Sequence, residues 1–443
     1  MEATASGSFP KSARLTRSSS RAVRLLHNSR RRLAMHISIT TELLGEHPQL
    51  LEINAPEYGQ EFTSWVRGGD GLVGLGVFKK HVVTGSNRFA DAQRWWRNEI
   101  NSLEIHNNVH GTGTGPVLFT SFSFDPSEES VLLIPEVVIG RRNGRAWITW
   151  IGAKPQPALH SLKTKPAPLN LNWSGSNGDV WQERVARAVS KIKEGELEKV
   201  VLARFATATS DHPIQTRNLI HELAREYPST WIYSNSGLIG ATPELLVRLS
   251  KSLVTSRILA GTIRKTGDDE RDLALAGSLA RSSKDLEEHE YAVRSVADAL
   301  TPLCSSMNVP ESPFVLHLSN VMHLATDVTG VLNDSATPID IFDLVSRLHP
   351  TAAVCGTPTN LAKQTIDEIE GISRGRYAGP IGWIDAHGDG ELGIALRCGQ
   401  VSDDQKSIRI YAGCGILAGS DPEREYAESQ AKLLPMRTAL ERH

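Results

Sequence analysis

The hydrophobic pattern divides the chain into short apolar runs and longer stretches with helical spacing. Trp65 to Val77 (WVRGGDGLVGLGV) reads as two strands joined by a Gly-Gly-Asp-Gly turn. Its glycines invite comparison with a nucleotide loop, but the Lys-Ser/Thr of a phosphate loop is missing and no βαβ unit follows, so a hairpin is the better reading. Residues 88–103 (RFADAQRWWRNEINSL) read as a helix, as do residues 179–194. Lys199 to Thr207 (KVVLARFAT) reads as a strand with β-branched residues in its first half. Ile232 to Leu249 reads as a hairpin through Ser236-Gly237, and residues 268–303 are helix-rich. Residues 376–417 read as strands with a tight turn at His387-Gly388-Asp389-Gly390. A final helix begins near Asp421-Pro422, an acid followed by proline at the first helical position. Strands and helices mix without regular βαβ alternation, which predicts an α+β fold: one large domain of largely antiparallel sheet flanked by helices.

Residues 163–178 (KTKPAPLNLNWSGSNG) are rich in Pro, Asn, Ser and Gly and read as a connection. They separate an N-terminal part of the fold, 36–178, from a region spanning 179–443 that carries the candidate chemistry. Residues 1–35 differ from both. They hold eight Lys and Arg residues and Glu2 as the sole acid. Such a segment is compatible with an organelle transit peptide, a plain basic tail or a start placed upstream of Met35, and the last two readings are preferred.

Composition narrows the function classes. The 443 residues are 40% hydrophobic and 22% charged, as in ordinary globular domains. A formal net charge of -2 gives no global basic field for nucleic acid. No apolar run reaches transmembrane length. Cys304, Cys355, Cys398 and Cys414 show no C-x-x-C pair and no zinc spacing, so buried, reduced thiols in a cytoplasmic protein are expected. A monomer is expected as well.

Several polar groups stand where chemistry could use them. Glu425, Glu428 and Lys432 fall within a sector of roughly 60° on one helix face. Two carboxylates on one face suit a hard cation such as magnesium, although a solvated Glu428–Lys432 pair explains the spacing equally well. Asp285 and Glu288 repeat the pattern on the preceding long helix. Lys199 opens an apolar strand and Glu244 follows Pro243 after another apolar run; alone, each reads as a strand-end surface charge or as a tuned acid or base. Arg397, inside GIALRCGQV, reads as an arginine in a buried strand that needs an anionic partner, structural or substrate. Gly413 and Gly415 either let a ligand approach the backbone or mark a bulge.

Together these segments resemble the chorismate-utilising enzymes: isochorismate, salicylate, anthranilate and aminodeoxychorismate synthases. The matching pieces are KVVLAR (199–204), ATPELLVR (241–248), ILAGT (258–262), SSKDLEEHE (282–290), HLAT (323–326), LHPTAAVCGTP (348–358), RGRYAGPIGW (374–383), IALRCGQV (394–401), AGCGILAGSDPEREYAES (412–429) and AKLL (431–434), in the family's order. The resemblance implies a fold like anthranilate synthase component I, with chorismate as substrate and magnesium as cofactor. It implies Glu288 and Glu428 as magnesium ligands with Glu425 beside them, and Asp285 behind them. Arg397 and Tyr377 would hold the enolpyruvyl carboxylate. Lys432 and the backbone at Gly413 and Gly415 would add anion contacts, and Gly261, Thr262 and His323 would line the pocket.

Two positions separate the branches. Anthranilate synthases usually carry Gln where this chain has Lys199, and many aminodeoxychorismate synthases carry Lys where it has Ala260. Both choices imply water as nucleophile, with Lys199 as base and Glu244 as acid. The His-Pro-Thr run at 349–351 looks more like isochorismate synthases than salicylate synthases. The expected activity is therefore isochorismate synthase, with salicylate synthase as runner-up and a non-catalytic chorismate-binding subunit as the reading from another class. The product would feed menaquinone, catechol siderophores or salicylate.

Overall fold

In the computed structural model, the described residues are 37–442 except 46–47, 54, 60, 156–167, 176, 196 and 336–337. The expectations for residues 1–35 fall outside them. Among the described residues lie two large sheets and eight α-helices, the α+β architecture anticipated above.

One sheet has thirteen strands. It runs from Leu171–Gly175 through Lys199–Ser210, Ser407–Ile416, Cys398–Val401, Leu238–Thr242, Trp231–Asn235 and Phe62–Arg67, and on to strands from the first 151 residues. The other has ten and is centred on Val321–Leu332, Leu253–Arg264, Leu245–Ser250, Gly390–Ile394 and Pro380–Asp385. The pairs along both are antiparallel, as the missing βαβ alternation predicted. Strands from either side of residue 178 interleave in both sheets; Phe62–Arg67 pairs with Trp231–Asn235, and Val117–Ser121 with Pro380–Asp385.

Most elements fall where the pattern placed them. The Gly68-Gly69 hairpin joins Phe62–Arg67 to Asp70–Leu75, and helices span Arg88–Asn101 and Gly178–Lys193. Three expectations change. Leu171–Gly175, within the segment read as a connection, is an edge strand against Ala206–Ser210. The 232–249 hairpin holds only to Thr242, after which Leu245–Ser250 leaves for the other sheet. Arg397 is not in a strand. It occupies a bend between Gly390–Ile394 of one sheet and Cys398–Val401 of the other, with φ +49°.

The two helices nearest the site are fixed by ordinary local chemistry. Ser282 caps Ser283–Leu300 by accepting from the Asp285 amide, and His289, Ala292, Val296 and Leu300 turn one face inward at helical spacing. Asp421 caps Pro422–Glu441 by accepting from the Arg424 amide, with Pro422 in the first turn. Among the described residues no helix is long and apolar enough to cross a membrane, and all four cysteines are free thiols.

A buried charge cluster ties the sheets together. Glu391 of Gly390–Ile394 accepts from Trp65 Nε1 at 3.0 Å and from Arg142 Nη2 at 2.7 Å, and Arg248 Nε lies 3.0 Å away. Burial pushes this carboxyl up, but Arg248, Arg142 and the Trp65 hydrogen bond outweigh it and hold it below its ordinary value. Its stabilisation is complete above the unfolded carboxylate range and is lost as pH falls through the depressed folded value. Glu391→Leu should strand the two arginines and cost about 3 kcal/mol, measured as a lower urea midpoint; a midpoint equal to wild type would show that the pair contributes nothing.

Candidate active site

The site lies where the chain changes sheets. Glu244 stands at the passage from Leu238–Thr242 to Leu245–Ser250, and Arg397 at the return passage. The passages are bonded to each other: Ala241 N donates to Arg397 O at 3.2 Å and Ile394 N to Glu244 O at 3.3 Å. Irregular backbone here aims both side chains into one cavity. Gly261, Thr262, Glu288, His323, Tyr377, Gly413, Gly415 and Lys432 also line it, so ten of the residues singled out in the sequence meet around one space. Lys199 adjoins it from Lys199–Ser210. Asp285, Glu425 and Glu428 stand behind the lining. A larger cavity, about 690 Å³, lies elsewhere in the fold and touches none of these residues.

Lys199 is fully buried, and its Nζ lies 3.3 Å from Glu288 Oε1. The two groups leave no room for a side chain at Gly415, where a Cβ would sit 2.1 Å from Glu288 Oε1 and 3.1 Å from Lys199 Cε. At Gly413 a Cβ would sit 2.8 Å from the Tyr377 hydroxyl. Neither glycine marks a bulge, since the pairing with Lys199–Ser210 runs through both without a register shift, and the space at each is taken by neighbouring side chains. Gly261 adopts φ +74°, with Asp285 packed against it.

The electrostatics are dominated by burial and by neighbouring charges. Burial pushes the Glu244 carboxyl up to about 8, against the pull of Lys199, Arg397 and Lys432. Burial also works against Glu288, but Lys199, Lys432 and Lys284 outweigh it and hold that carboxylate below its ordinary value. Lys432 bonds Glu428 Oε1 at 2.5 Å and Gly413 O at 3.0 Å; despite burial, Glu428 holds its ammonium above the ordinary value. Tyr377 stacks on Tyr411, ring centroids 5.0 Å apart, and burial raises its hydroxyl pKa.

Arg397 and His323 form a pair. Arg397 Nη2 lies 3.0 Å from His323 Nε2, while His323 Nδ1 faces Gly261 O at 3.3 Å and Thr262 Oγ1 at 3.1 Å. Burial and then Arg397 hold His323 well below its ordinary pKa, so the ring is neutral. The network places its proton on Nδ1, donating to the Gly261 carbonyl and leaving Nε2 to accept from Arg397. Among the described residues no carboxylate lies within ion-pair distance of Arg397, so its guanidinium is available to an anion in the cavity.

The carboxylates behind the cavity have the chemistry of a magnesium site. Glu425 and Glu428 have oxygens within 4.8 Å of each other and of the Cys414 sulfur. Glu425 is buried; burial and then the Glu428 charge raise its carboxyl, a strain that a hard dication between them would relieve. Glu288 lies outside this tight group, drawn toward Lys199. Cys414 belongs to the wall rather than the ligand set: its thiol is held far above its ordinary value by burial, donates to Glu425 O, and is soft where magnesium prefers oxygen.

Sequence reasoning did not single out Cys414, nor Lys284, which donates to Glu425 Oε1 at 2.7 Å. Lys284 lies inside the quoted SSKDLEEHE segment, but nothing in its spacing separates it from a surface lysine.

Comparison with known proteins identifies the family and the fold. The model for the chorismate binding enzyme family matches residues 22–152 and 156–441. Isochorismate synthase MenF of Bacillus subtilis (strain 168) is 32% identical over 406 residues, 83% of this chain and 85% of its own. The crystal structure of a putative 2,3-dihydroxybenzoate-specific isochorismate synthase, DhbC from Bacillus anthracis, superposes with a TM-score of 0.72 at 32% identity, covering 89% of this chain and 99% of that one. Anthranilate synthase component I from Streptococcus pneumoniae shares the fold, with a TM-score of 0.62 at 20% identity, covering 90% of this chain and 92% of its own. By its sequence match and its fold alike, the chain belongs to the chorismate-binding enzyme family.

Proposed function

We propose that the chain is a magnesium-dependent isochorismate synthase. The observation that carries the reading is a pair of groups at the site: a fully buried lysine, Lys199, against the Glu288 that lines the cavity, and a lining carboxyl, Glu244, that burial keeps protonated near neutral pH. Relatives named isochorismate synthases over most of the chain support it.

In the mechanism, Arg397 and Tyr377 bind the enolpyruvyl carboxylate, with His323 holding the guanidinium in place. Glu288, Glu425 and Glu428 would hold magnesium, which when bound supplies positive charge to orient and neutralise the ring carboxylate. Lys199, once it has given up the proton it shares in the ion pair with Glu288, takes a proton from a water whose oxygen forms the new bond to C2. The ring double bond shifts and the C4–O bond breaks. Glu244 gives its proton to the departing oxygen, which leaves as water. One water enters and one leaves, so substrate and product are isomers. Solvent then returns a proton to Glu244 and removes one from Lys199.

The direct test is incubation of the protein with chorismate and magnesium, with and without a chelator, followed by chromatography. Chelator-sensitive isochorismate without free pyruvate is expected. Salicylate with stoichiometric pyruvate would replace the reading by salicylate synthase, and bound but unconsumed chorismate would reduce the chain to a binding subunit. Lys199→Ala and Glu244→Gln should each lower kcat by on the order of 100- to 10,000-fold while circular dichroism shows an intact fold; wild-type turnover in either would remove that residue from its role. The acid must be protonated to act, so its active form is populated below its pKa. The acid limb of kcat/KM should therefore fall as pH rises through about 8, and a profile with no such fall in wild type would exclude Glu244 as the acid.

A further inference from the structure

A buried ion pair beside the cavity has no part in the reaction just described. Glu370 follows helix Thr359–Ile369, and Arg374 lies four residues on; both are almost wholly buried, at 1% and 3% exposure. Arg374 Nε donates to Glu370 Oε1 at 2.7 Å and Nη2 to Oε2 at 2.6 Å. The same guanidinium donates from Nη2 to Val201 O at 2.7 Å and from Nη1 to Val354 O at 3.0 Å. Glu370 Oε2 accepts from Ala203 N at 2.8 Å.

These backbone groups belong to a strand edge with a gap. On one edge of Lys199–Ser210, the strand Ser407–Ile416 pairs with Val200 through Thr209. On the other, Gly356–Thr357 pairs only with Lys199 and Val200, and Leu171–Gly175 only with Ala206 through Ser210. Between them the edge has no strand. A buried edge needs a donor and an acceptor for each exposed carbonyl and amide. Cys355 O takes the Val201 amide at 2.7 Å, Arg374 serves Val201 O and Glu370 serves the Ala203 amide, so the ion pair supplies two of the partners a neighbouring strand would give.

The gap begins two residues after Lys199. Val201, Val354 and Arg374 all line the cavity, so one guanidinium clamps the strand that carries Lys199 to the segment opposite it. Its fork is spent on Glu370 and two carbonyls, which sets it apart from Arg397.

We propose that Glu370 and Arg374 are positioning residues for Lys199, fixing the strand beyond it so that Nζ is held at a set distance from the reacting carbon. The proposal rests on the reading of Lys199 as the base. A pair that only stabilised the fold would lower the melting temperature and leave the turnover of folded enzyme unchanged.

The test uses Glu370→Gln and Arg374→Lys in the full chain. It measures kcat and KM for chorismate at saturating magnesium, thermal melting, and amide hydrogen exchange along residues 199–205. Arg374→Lys keeps the charge but loses the planar fork, so it should not rescue. Because a slip of roughly 1 Å costs on the order of 100-fold, kcat should fall by about tenfold or more in both variants, with KM within about threefold of wild type. Exchange at Ala203 should quicken in both. Folded variants with wild-type kcat would overturn the proposal. So would a raised KM at unchanged kcat, which would make Arg374 a substrate ligand. Should Arg374→Lys not fold, the near-isosteric Glu370→Gln decides by the same criteria. If the wild-type chain consumes no chorismate, the base assignment fails on that result alone. The exchange data then stand separately, and unchanged exchange at residues 201–203 in Glu370→Gln would show that the pair does not hold the strand.

Discussion

Burying charge between two sheets is the constraint on which the rest of this structure depends. Of the carboxyl groups in or behind the cavity, three meet a lysine at ion-pair distance: Glu288 with Lys199 and Glu425 with Lys284 from other elements, and Glu428 with Lys432 one turn along the same helix. A buried carboxylate without such a partner would be driven to its neutral form. At Glu288 the pairing keeps a negative charge that a dication would use. It also explains Gly415, since the Lys199–Glu288 contact occupies the volume a side chain would need there. Glu244, set apart from this pairing, is left to burial and keeps its proton instead. Neighbouring carboxyls in one interior are thus shifted in opposite directions: Glu288 is held low by three lysines, whereas burial raises Glu244, and burial with the Glu428 charge raises Glu425 despite Lys284.

The passages between sheets convert this constraint into direction. Within a regular strand, side chains alternate between two faces and the backbone is spent on its neighbours. Where the chain leaves one sheet for the other, that regularity lapses. Glu244 and Arg397 stand at two such passages that bond each other through Ala241 and Ile394. Arg397 adopts φ +49°, which costs a non-glycine residue energy and persists where surroundings enforce it. The bond to His323, itself held by Gly261, is part of that enforcement.

Local structure was legible because it depends on local chemistry: the capping at Asp421-Pro422 and the Gly68-Gly69 turn needed nothing distant. What depends on long-range pairing was not. Leu171–Gly175 sits in a stretch whose composition reads as a connection, and it is a strand because Ala206–Ser210 offers an edge. The sheet to which Leu245–Ser250 belongs is likewise invisible in its own residues. For the site, spacing alone placed Glu425, Glu428 and Lys432 on one helix face but left a solvated pair as an equal reading; the whole constellation came from resemblance, and the structure brings its members together. Lys284 escaped notice, and Cys414 was read only as a buried thiol, because what distinguishes them is a contact with Glu425 contributed from another element.

Arg374 and Arg397 show how far residue type falls short of role. Both are buried, both line the same cavity, and both lie in segments that match the family. Arg374 spends its donors on a carboxylate and two carbonyls of the surrounding wall. Arg397 has a neutral imidazole and no carboxylate among the described residues. A guanidinium whose donors are already taken gains little from a new anion, whereas one left with unused donors in a desolvated space gains a great deal. The same side chain therefore serves as scaffold at one position and as receptor at the other. The partner already present decides between them, and it supports the proposal, drawn from resemblance, that Arg397 receives the enolpyruvyl carboxylate.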